Sequence, residues 1–522
     1  SPLDLSNSGN AIGTVGAVTI DGGNFALVDN GTLTVAGPVF ATDEVSITAT
    51  GGLMTITGNI SVAGSDLILS ATGINQTGGA ITTPNAVISG NGGNIALTQS
   101  GNNFTGDVSI TNTGAATTAI TDSNAIRFDA VSVGTGTLTV TASGAITQTA
   151  AGITTGGAVV LDSGSGAITL TTSTNDFGGA VSATNTGGAA IALRDANALE
   201  LGAISASGNL TITAVGITQN GSGVTVVGNT TLTAGAGVIT LTDADNDFQG
   251  TVTLSNSGAN SVAITDKNAI QLATSSLGSG TLTVTAVGIT QTGAITQAAS
   301  AGTATFNGGA GVITLTQAGN DFTGAVTANN SGANAIQITD TNALKLGVVT
   351  TQNALTVIAG GAVTQSGDVS VAGATSVTAT GFDITLDRTG NAFIGAVSLT
   401  GLNVDVVNGN DLVLGPTVAT GTYKASAAGN IDQVDAPTAG ITATGLATFT
   451  TLSAGKSVDT ARVAKMAKVL GVKGDVRQHG QELLVPRWSR QMGTTWTCCN
   501  HGTISLSWDR PLSRGGLGVR QE

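Results

Sequence analysis

Apolar and polar residues alternate in short runs along most of the chain. In the segment that begins at Gly311, Ile313 and Leu315 fall on one side of an extended run, while Thr314 and Thr316 fall on the other. Alternation over about four to eight residues predicts half-buried β-strands. Gly, Asn, Asp and Ser bound each run, as turn residues do. No capped helical pattern precedes residue 455, so the sequence predicts an all-β protein.

These runs recur in a long repeat, which three separate motifs mark. A phenylalanine follows a polar turn at Phe104, Phe177, Phe248, Phe322 and Phe393. An Asp-x-Asn motif is found at Asp122/Asn124, Asp195/Asn197, Asp266/Asn268 and Asp340/Asn342. A glutamine ends a strand-like run at Gln76, Gln148, Gln219, Gln291, Gln365 and Gln433. All three motifs give a unit of about 72 residues between about 60 and 450, which indicates a tandem array.

This pattern predicts an elongated parallel β-solenoid, that is, a right-handed β-helix. One coil cannot enclose its own Ile, Leu and Val side chains, whereas stacked coils share one interior and pair their backbones. We expect about three coils of 20–24 residues in each unit, with glycine and asparagine at the corners. Proline is absent from 85 to 415, as strands bonded on both sides require. An array of antiparallel sandwiches and a propeller are the alternatives.

The composition changes abruptly near residue 455. Residues 1–455 hold 6 Lys and Arg against 26 Asp and Glu, whereas residues 456–522 hold 11 against 5. The acidic body argues against nucleic-acid binding, because phosphate contacts need clustered basic residues. It holds no cysteine and therefore no disulfide framework. The sequence contains no stretch of 18 or more apolar residues, so it predicts no membrane-spanning helix. The chain begins at Ser1 and not at Met, and we interpret it as a fragment or a processed product.

These shifts suggest three segments. Residues 1–455 form the solenoid, 456–471 a possible capping helix, and 472–522 a basic tail that is disordered or unrelated to the fold. The helix prediction rests on Asp459 as the N-cap, Gly471 as the stop, and apolar residues at helical spacing, namely Val463, Met466, Ala467 and Leu470. Such a helix would cover the open end of the solenoid or contact an anionic surface or partner. Cys498, Cys499 and His501 lack the spacing of a zinc site.

Several repeated phrases resemble a known group of proteins. ITLTQAGNDFTGAV, ITDTNALKLG and GTLTVTAVGITQTG are similar to the repeats of filamentous-haemagglutinin-like large exoproteins and autotransporter passengers. The resemblance covers roughly residues 1–455. It implies a secreted bacterial β-helical rod that acts in cell adhesion and virulence, exported with the help of an outer-membrane secretion barrel. Neither an amino-terminal secretion domain with Asn-Pro motifs nor a carboxy-terminal barrel is recognisable in this sequence.

Four features of the body are candidates for functional sites. The Asp-x-Asn motif is interpreted as a corner whose side chains cap backbone amides, with an ion ladder as the alternative. Asp243, Asp245 and Asp247 could converge on Ca²⁺ or act as glycosidase carboxylates, but they lack a closing glutamate and are interpreted as solvated turn residues. The repeated phenylalanine is interpreted as core volume at a corner and not as an exposed binding residue.

The fourth feature is the Thr-x-Thr pattern. It occurs at Thr137/Thr139/Thr141, Thr211/Thr213, Thr240/Thr242, Thr281/Thr283/Thr285 and Thr314/Thr316. A flat threonine face could bind ice or sugar, but threonine is also an ordinary outward residue of a strand.

The sequence therefore predicts a non-enzymatic adhesin or stalk at the bacterial cell surface or outside the cell. Its expected partners are the surface glycans or proteins of other cells. We predict no catalytic residue, no cofactor and no metal site. A β-helical polysaccharide-degrading enzyme is the main alternative, and an ice-binding threonine face is the lesser one.

Overall fold

The computed structural model describes residues 1–434 and 440–458, and it also places the backbone of two short strands, Arg477–Gln478 and Thr503–Leu506. Within these residues every regular element is a β-strand, and no helix is found. The described part of the chain accordingly offers no helix with the length and apolar character to span a membrane. The chain divides into two compact units, Ser1–Gly280 and Thr281–Glu522, which are described separately.

Three parallel sheets build the first unit. Sheet 1 contains Leu3–Leu5, Phe25–Asp29, Val45–Ala49, Asp66–Ala71, Asn85–Ser89, Asp107–Thr111, Ile126–Val133, Ile146–Gln148, Ile153–Thr155, Ile168–Leu170, Asp176–Phe177, Ile191–Arg194, Leu210–Thr213, Thr230–Thr233, Thr251–Ser255, Ile270–Leu272 and Ser275–Leu277. Sheet 2 contains Thr14–Val15, Leu33–Val35, Met54–Ile56, Ile74–Gln76, Ile95–Leu97, Thr118–Asp122, Leu138–Ala142, Val159–Asp162, Val181–Thr184, Leu199–Ala206, Ile217–Gln219, Val224–Val226, Ile239–Leu241, Asp247–Phe248 and Val262–Thr265. Sheet 3 is shorter and contains Val18–Ile20, Val39–Ala41, Ile60–Val62, Ile81–Thr83 and Asn103–Phe104.

Alternation along each strand creates one shared interior. In Phe25–Asp29, residues 25, 27 and 29 are buried while those between them are partly exposed. Strands pair in parallel with the preceding and following coils, so like residues stack, as in the column Ile126, Ile146, Ile168 and Ile191. Each of these isoleucines is at most 1% exposed. The first unit is thus the parallel β-solenoid that the alternation predicted.

The long repeat does not contain a whole number of coils, and the prediction of about three coils per unit is corrected to three and a half. Ile126 lies in sheet 1, its counterpart Leu199 lies in sheet 2, and the next counterpart, Ile270, lies in sheet 1 again. Seven pairings connect Ile126 with Leu272, namely Ile126–Ile146, Ile146–Ile168, Ile168–Ile191, Ile191–Leu210, Leu210–Thr230, Thr230–Val252 and Val252–Leu272. Successive copies of a motif therefore lie on different sheets of this unit, and alternate copies are about 34 Å apart along the stack.

One corner of the first unit is closed by a column of glycines. A Cβ atom at Gly58 would lie 2.4 Å from the carbonyl oxygen of Gly37, and one at Gly79 would lie 2.2 Å from the carbonyl carbon of Gly58. Gly79 also has a φ of +65°, which residues with a side chain rarely adopt. Glycine is needed here because the backbones of adjacent coils approach too closely for any side chain.

Two sheets build the second unit in the same way. Sheet 4 contains Ile289–Gln291, Ile295–Gln297, Ile313–Leu315, Ile336–Asp340, Leu355–Ala359, Thr375–Thr378, Val397–Gly401, Leu412–Leu414, Thr417–Ala419, Ile431–Gln433 and Ile441–Ala443. Sheet 5 contains Leu282–Thr285, Ala304–Asn307, Ala325–Asn329, Leu344–Thr351, Val363–Gln365, Val369–Val371, Ile384–Leu386, Ala392–Phe393, Val404–Asn408, Tyr423–Ala427, Ala447–Thr451 and the two short distal strands. Its coils also pair in parallel, for example at Leu355 with Ile336 and Thr375.

The end of the second unit bears on the predicted tail. Val458 forms a parallel bridge with Ile431, so coil pairing continues to the last described residue of the body. Thr503–Leu506 then pairs with Ala447–Thr451 in the antiparallel sense. The helix predicted from Asp459 and the residues Cys498, Cys499 and His501 lie outside the described residues.

Candidate functional site

The three motifs that mark the sequence repeat meet at one buried corner. In the third copy, Asn246 is fully buried, and its Oδ1 accepts hydrogen bonds from the Val224 amide at 2.9 Å and from Gln219 Nε2 at 3.0 Å. Asn246 Nδ2 donates in return to Gln219 Oε1 at 3.0 Å. Two residues after Asn246, the Phe248 amide donates to Asp266 Oδ2 at 3.2 Å. The corner thus joins three successive coils.

Other copies repeat this geometry. The Gln–Asn pairs are Gln76–Asn102, Gln148–Asn175, Gln219–Asn246, Gln291–Asn320 and Gln365–Asn391. In each Asp-x-Asn motif the aspartate accepts one amide from the phenylalanine and one from the asparagine two residues on, as Asp340 does from Phe322 and Asn342. The capped-corner interpretation is therefore confirmed. The five motif phenylalanines are at most 3% exposed, so their assignment to the core is also confirmed.

The corner aspartates have raised pKa values. Burial raises the pKa of Asp122, Asp195, Asp266 and Asp340, and the backbone amides that donate to each carboxylate offset only part of that shift. Both carboxylate oxygens are already used by backbone amides. The raised pKa is accordingly a consequence of closing the corner, and it does not indicate a proton donor aimed at a substrate.

The acidic run around Asp245 does not converge on one point. Asp243 Oδ1 accepts the Asp245 amide at 2.9 Å, and Asp245 itself is exposed. Asp247 instead faces the next coil, where Lys267 Nζ lies 3.1 Å from its Oδ2. Burial raises the pKa of Asp247, but hydrogen bonds from Lys267, Gln249 and Asn268 outweigh burial and lower it overall. Within the described residues, no group of three or more His, Cys, Asp or Glu is arranged to hold a metal ion.

Most basic residues of the body pair with an aspartate one coil away. Lys267–Asp247 is the pair in which the acid is most buried, with 12% of the aspartate side chain exposed. The acids of the other three pairs are more exposed; these pairs are Arg127–Asp107, Arg388–Asp368 and Lys424–Asp405. Four of the six Lys and Arg residues before position 456 are thereby neutralised locally. The lateral faces of both units consequently present few unpaired cations.

The threonines of the Thr-x-Thr pattern are all partly or fully exposed. In sheet 1 they stack in two columns over three successive coils, namely Thr211–Thr231–Thr253 and Thr213–Thr233–Ser255. Other columns are interrupted, as at Thr139 in sheet 2, which lies between Ala119 and Val160. In the second unit, Thr283, Thr305 and Thr327 form a further column over three coils of sheet 5. Hydroxyl columns of about three coils therefore occur in both units.

A shallow polar groove in the second unit was not predicted from the sequence. It has a volume of about 500 Å³, and its polar side chains are Asn307, Asn329, Asn330, Ser331, Thr350 and Gln352. Asn307, Asn329 and Thr350 are in register on three successive coils of sheet 5. Asn329 Nδ2 donates to Asn307 Oδ1 at 3.4 Å, and Asn307 Nδ2 donates to Thr285 Oγ1 at 3.5 Å. These long hydrogen bonds leave the amides available to a ligand.

The corner beside this groove differs from its counterparts in the first unit. Asn185 Oδ1 accepts the Ser207 amide at 2.9 Å, and Asn256 Oδ1 accepts the Gly278 amide at 3.0 Å. The corresponding Asn330 is only 4% exposed, yet no described residue donates a hydrogen bond to its Oδ1. Its Nδ2 donates to the Asn334 carbonyl at 2.7 Å, which fixes the side-chain orientation. A buried acceptor without a donor is costly, so this corner is chemically incomplete.

A sequence signal for the groove exists, but it requires comparison across two repeats. Asn307, Asn329 and Thr350 correspond to Asp162, Thr184 and Ser205 in the first unit, which share the same register. The substitution of amides for an acid and a hydroxyl removes charge from this column. Equivalent faces recur every second repeat. Only an alignment of repeats that are two apart therefore shows that these two columns correspond.

Comparison with protein families matches a model described as repeats of unknown function (DUF5649). The matches are consecutive and cover residues 42–111, 114–184, 187–255, 259–329, 333–400 and 401–459. The chain belongs to this repeat family. The matches confirm a repeat of roughly 70 residues, and with the parallel coils they establish a repeat β-solenoid protein. Comparison with curated proteins and with solved structures finds no match.

Proposed function

We propose that this repeat protein is a non-enzymatic adhesin or stalk of the bacterial cell surface, similar to filamentous-haemagglutinin-like exoproteins and autotransporter passengers. It would be exported from the cell and would contact the surface glycans or proteins of other cells, or the surrounding matrix. The supporting observation is the division of labour in each repeat. The glutamine, asparagine and aspartate side chains of the repeat motifs form hydrogen bonds that close the corners. Threonine, serine and asparagine form the outward columns.

This division favours binding by repetition. Each outward column offers the same hydroxyl or amide on successive coils, so several weak contacts add up through multivalency. In the first unit such columns lie on both large sheets, Thr211–Thr231–Thr253 in sheet 1 and Thr184–Ser205–Thr225 in sheet 2, so the repeated surface features face two directions. Two directions of contact suit a protein that bridges surfaces better than they suit an enzyme with one cleft.

The test is to offer the purified chain of 522 residues to a panel of immobilised glycans and matrix proteins. We expect saturable retention on at least one surface without the release of new reducing ends. Release of reducing ends with turnover would instead favour the polysaccharide-degrading alternative. In that case Asp243→Asn and Asp245→Asn variants would show whether the acidic turn is responsible.

The threonine columns of sheet 1 favour ice binding as a second candidate function. Thr211, Thr231 and Thr253 form a regular array of the kind that can order water. A measurement of thermal hysteresis tests this function. If it holds, Thr231→Tyr should weaken the effect by breaking this column, while Thr139→Tyr, between Ala119 and Val160, should leave it unchanged.

A further inference from the structure

We propose that the polar groove of the second unit is a binding site for neutral oligosaccharides. This inference rests on the proposed adhesive function and names a site and a ligand class for it. It starts from the incomplete corner at Asn330, whose buried Oδ1 has no donor among the described residues. The counterparts Asn185 and Asn256 accept backbone amides at the same place. A ligand hydroxyl would supply the donor that this corner lacks.

The groove lining favours a sugar over other ligands. Its polar side chains are amides and hydroxyls, which donate and accept hydrogen bonds as sugar hydroxyls do. No lining residue is ionisable, so the groove has no cation for a phosphate or carboxylate. Anionic glycans are disfavoured further by the acidic composition of residues 1–455. More of the exposed lining is apolar than polar, so the side chains can also contact the C–H faces of sugar rings.

The dimensions of the groove suit a linear chain of sugars. Asn307, Asn329 and Thr350 lie on adjacent coils, and adjacent strands are about 4.8 Å apart. The three side chains therefore cover a run of about 10 Å along the stack. That run accommodates consecutive sugar rings, with the amide of Asn329 at its centre. Because Asn330 Oδ1 is covered, the ligand must displace part of the groove wall, and we expect weak binding at a single site.

The first unit provides a matched control. Asp162, Thr184 and Ser205 have the same register as the groove residues, but an acid replaces one amide and Ser207 closes the corner at Asn185. This equivalent surface should not bind neutral sugars. Ser205→Ala therefore mirrors Thr350→Val, and Thr184→Ala mirrors Asn329→Ala, in the same backbone setting.

The experiment uses calorimetry to titrate the whole 522-residue chain with neutral gluco-, manno- and galacto-hexasaccharides and with an anionic oligogalacturonide. We expect at least one neutral hexasaccharide to bind and the anionic one not to bind. Asn329→Ala should weaken binding at least tenfold and Thr350→Val several-fold, while Ser205→Ala and Thr184→Ala should leave Kd unchanged. Urea midpoints of all four variants verify that each one folds.

Three results would overturn this site. The neutral hexasaccharides fail to bind, or the anionic one binds better, or folded Asn329→Ala binds as the wild type does. Each of these leaves the adhesive function standing if the chain is still retained on cells or matrix. Loss of all retention on cells, matrix and glycans would contradict the adhesive function itself, so the two failures are distinguishable.

Discussion

Gln219 and Asn246 are 27 residues apart in the chain, yet their side-chain amides exchange two hydrogen bonds of 3.0 Å at a buried corner. Each amide donates once and accepts once in this pair, so both remain satisfied away from water. Asn246 additionally accepts the Val224 amide and donates to the Leu241 carbonyl. One side chain thus fastens three segments of the solenoid.

We predict that Asn246→Ala destabilises the protein by about 3 kcal/mol, because Gln219 and the Val224 amide both lose a buried partner. The midpoint of urea unfolding measures the effect. Asn220→Ala is the control, since Asn220 is exposed and its side chain makes no hydrogen bond that the structure records. A loss below 1 kcal/mol for Asn246→Ala would show that the Gln–Asn pair is not a principal fastening of the corner.

Phe322 and Phe382 test the assignment of the repeated phenylalanine to the core. Phe322 is 1% exposed and packs edge-to-face on Phe306 with ring centroids 5.7 Å apart, whereas Phe382 is 46% exposed. Phe322→Ala should cost about 3–5 kcal/mol through lost burial and the cavity left behind. Phe382→Ala should change stability by about 0.5 kcal/mol or less. Equal losses in the two urea midpoints would contradict the difference in packing.

The sequence predicted the strands, the repeat and the role of its corner motifs, since these depend on local alternation and turn chemistry. The half-coil offset could not be predicted. Ile126–Val133 is one strand, but its two halves pair with two different later strands, Ile146–Gln148 and Ile153–Thr155. In the sequence this strand therefore resembles two separate short strands. Whether one strand covers two faces depends on the neighbouring coils, and coil counting from alternation alone misses it.

The groove was missed for a related reason. Asn330 and Asn256 occupy equivalent positions in the sequence repeat, and both donate to a carbonyl four residues later. A backbone amide from the next coil reaches Oδ1 of Asn256 but not Oδ1 of Asn330. That contact depends on the path of a loop about 22 residues away, which no local pattern describes.

The ion pairs between coils should differ in strength according to burial. Lys267 pairs with Asp247, of which 12% of the side chain is exposed, whereas Arg388 and Asp368 are 45% and 47% exposed. Lys267→Met should destabilise the protein by about 1–2 kcal/mol, because it leaves a buried carboxylate without its cation. Arg388→Met should cost about 0.5 kcal/mol or less, as exposed pairs do. Urea midpoints at low and high salt check both values, and a larger cost at Arg388 would reverse the argument.

The corner aspartates predict an unusual dependence of stability on pH. Burial raises the pKa of Asp340 above its usual value of 3.8, so the folded protein holds this proton more tightly than the unfolded chain does. Stability from this group is therefore gained as the pH falls through the interval between the raised pKa and 3.8, and it is absent at pH 7. Asp340→Asn removes the titration. It should also destabilise the protein at every pH, because an amide offers one acceptor where Phe322 and Asn342 require two.

Urea midpoints at pH 7, 5 and 3.5 separate the two effects of Asp340→Asn, namely the loss of the titration and the loss of one hydrogen-bond acceptor. The stability of the wild type minus that of Asp340→Asn should be positive at pH 7, by about 1–3 kcal/mol, and should widen as the pH falls. Asp122→Asn, Asp195→Asn and Asp266→Asn should behave alike, because burial raises the pKa of those aspartates in the same way. A difference that narrows on acidification would mean that the folded protein holds these carboxylates ionised more readily than the unfolded chain does. The corner amides would then outweigh burial.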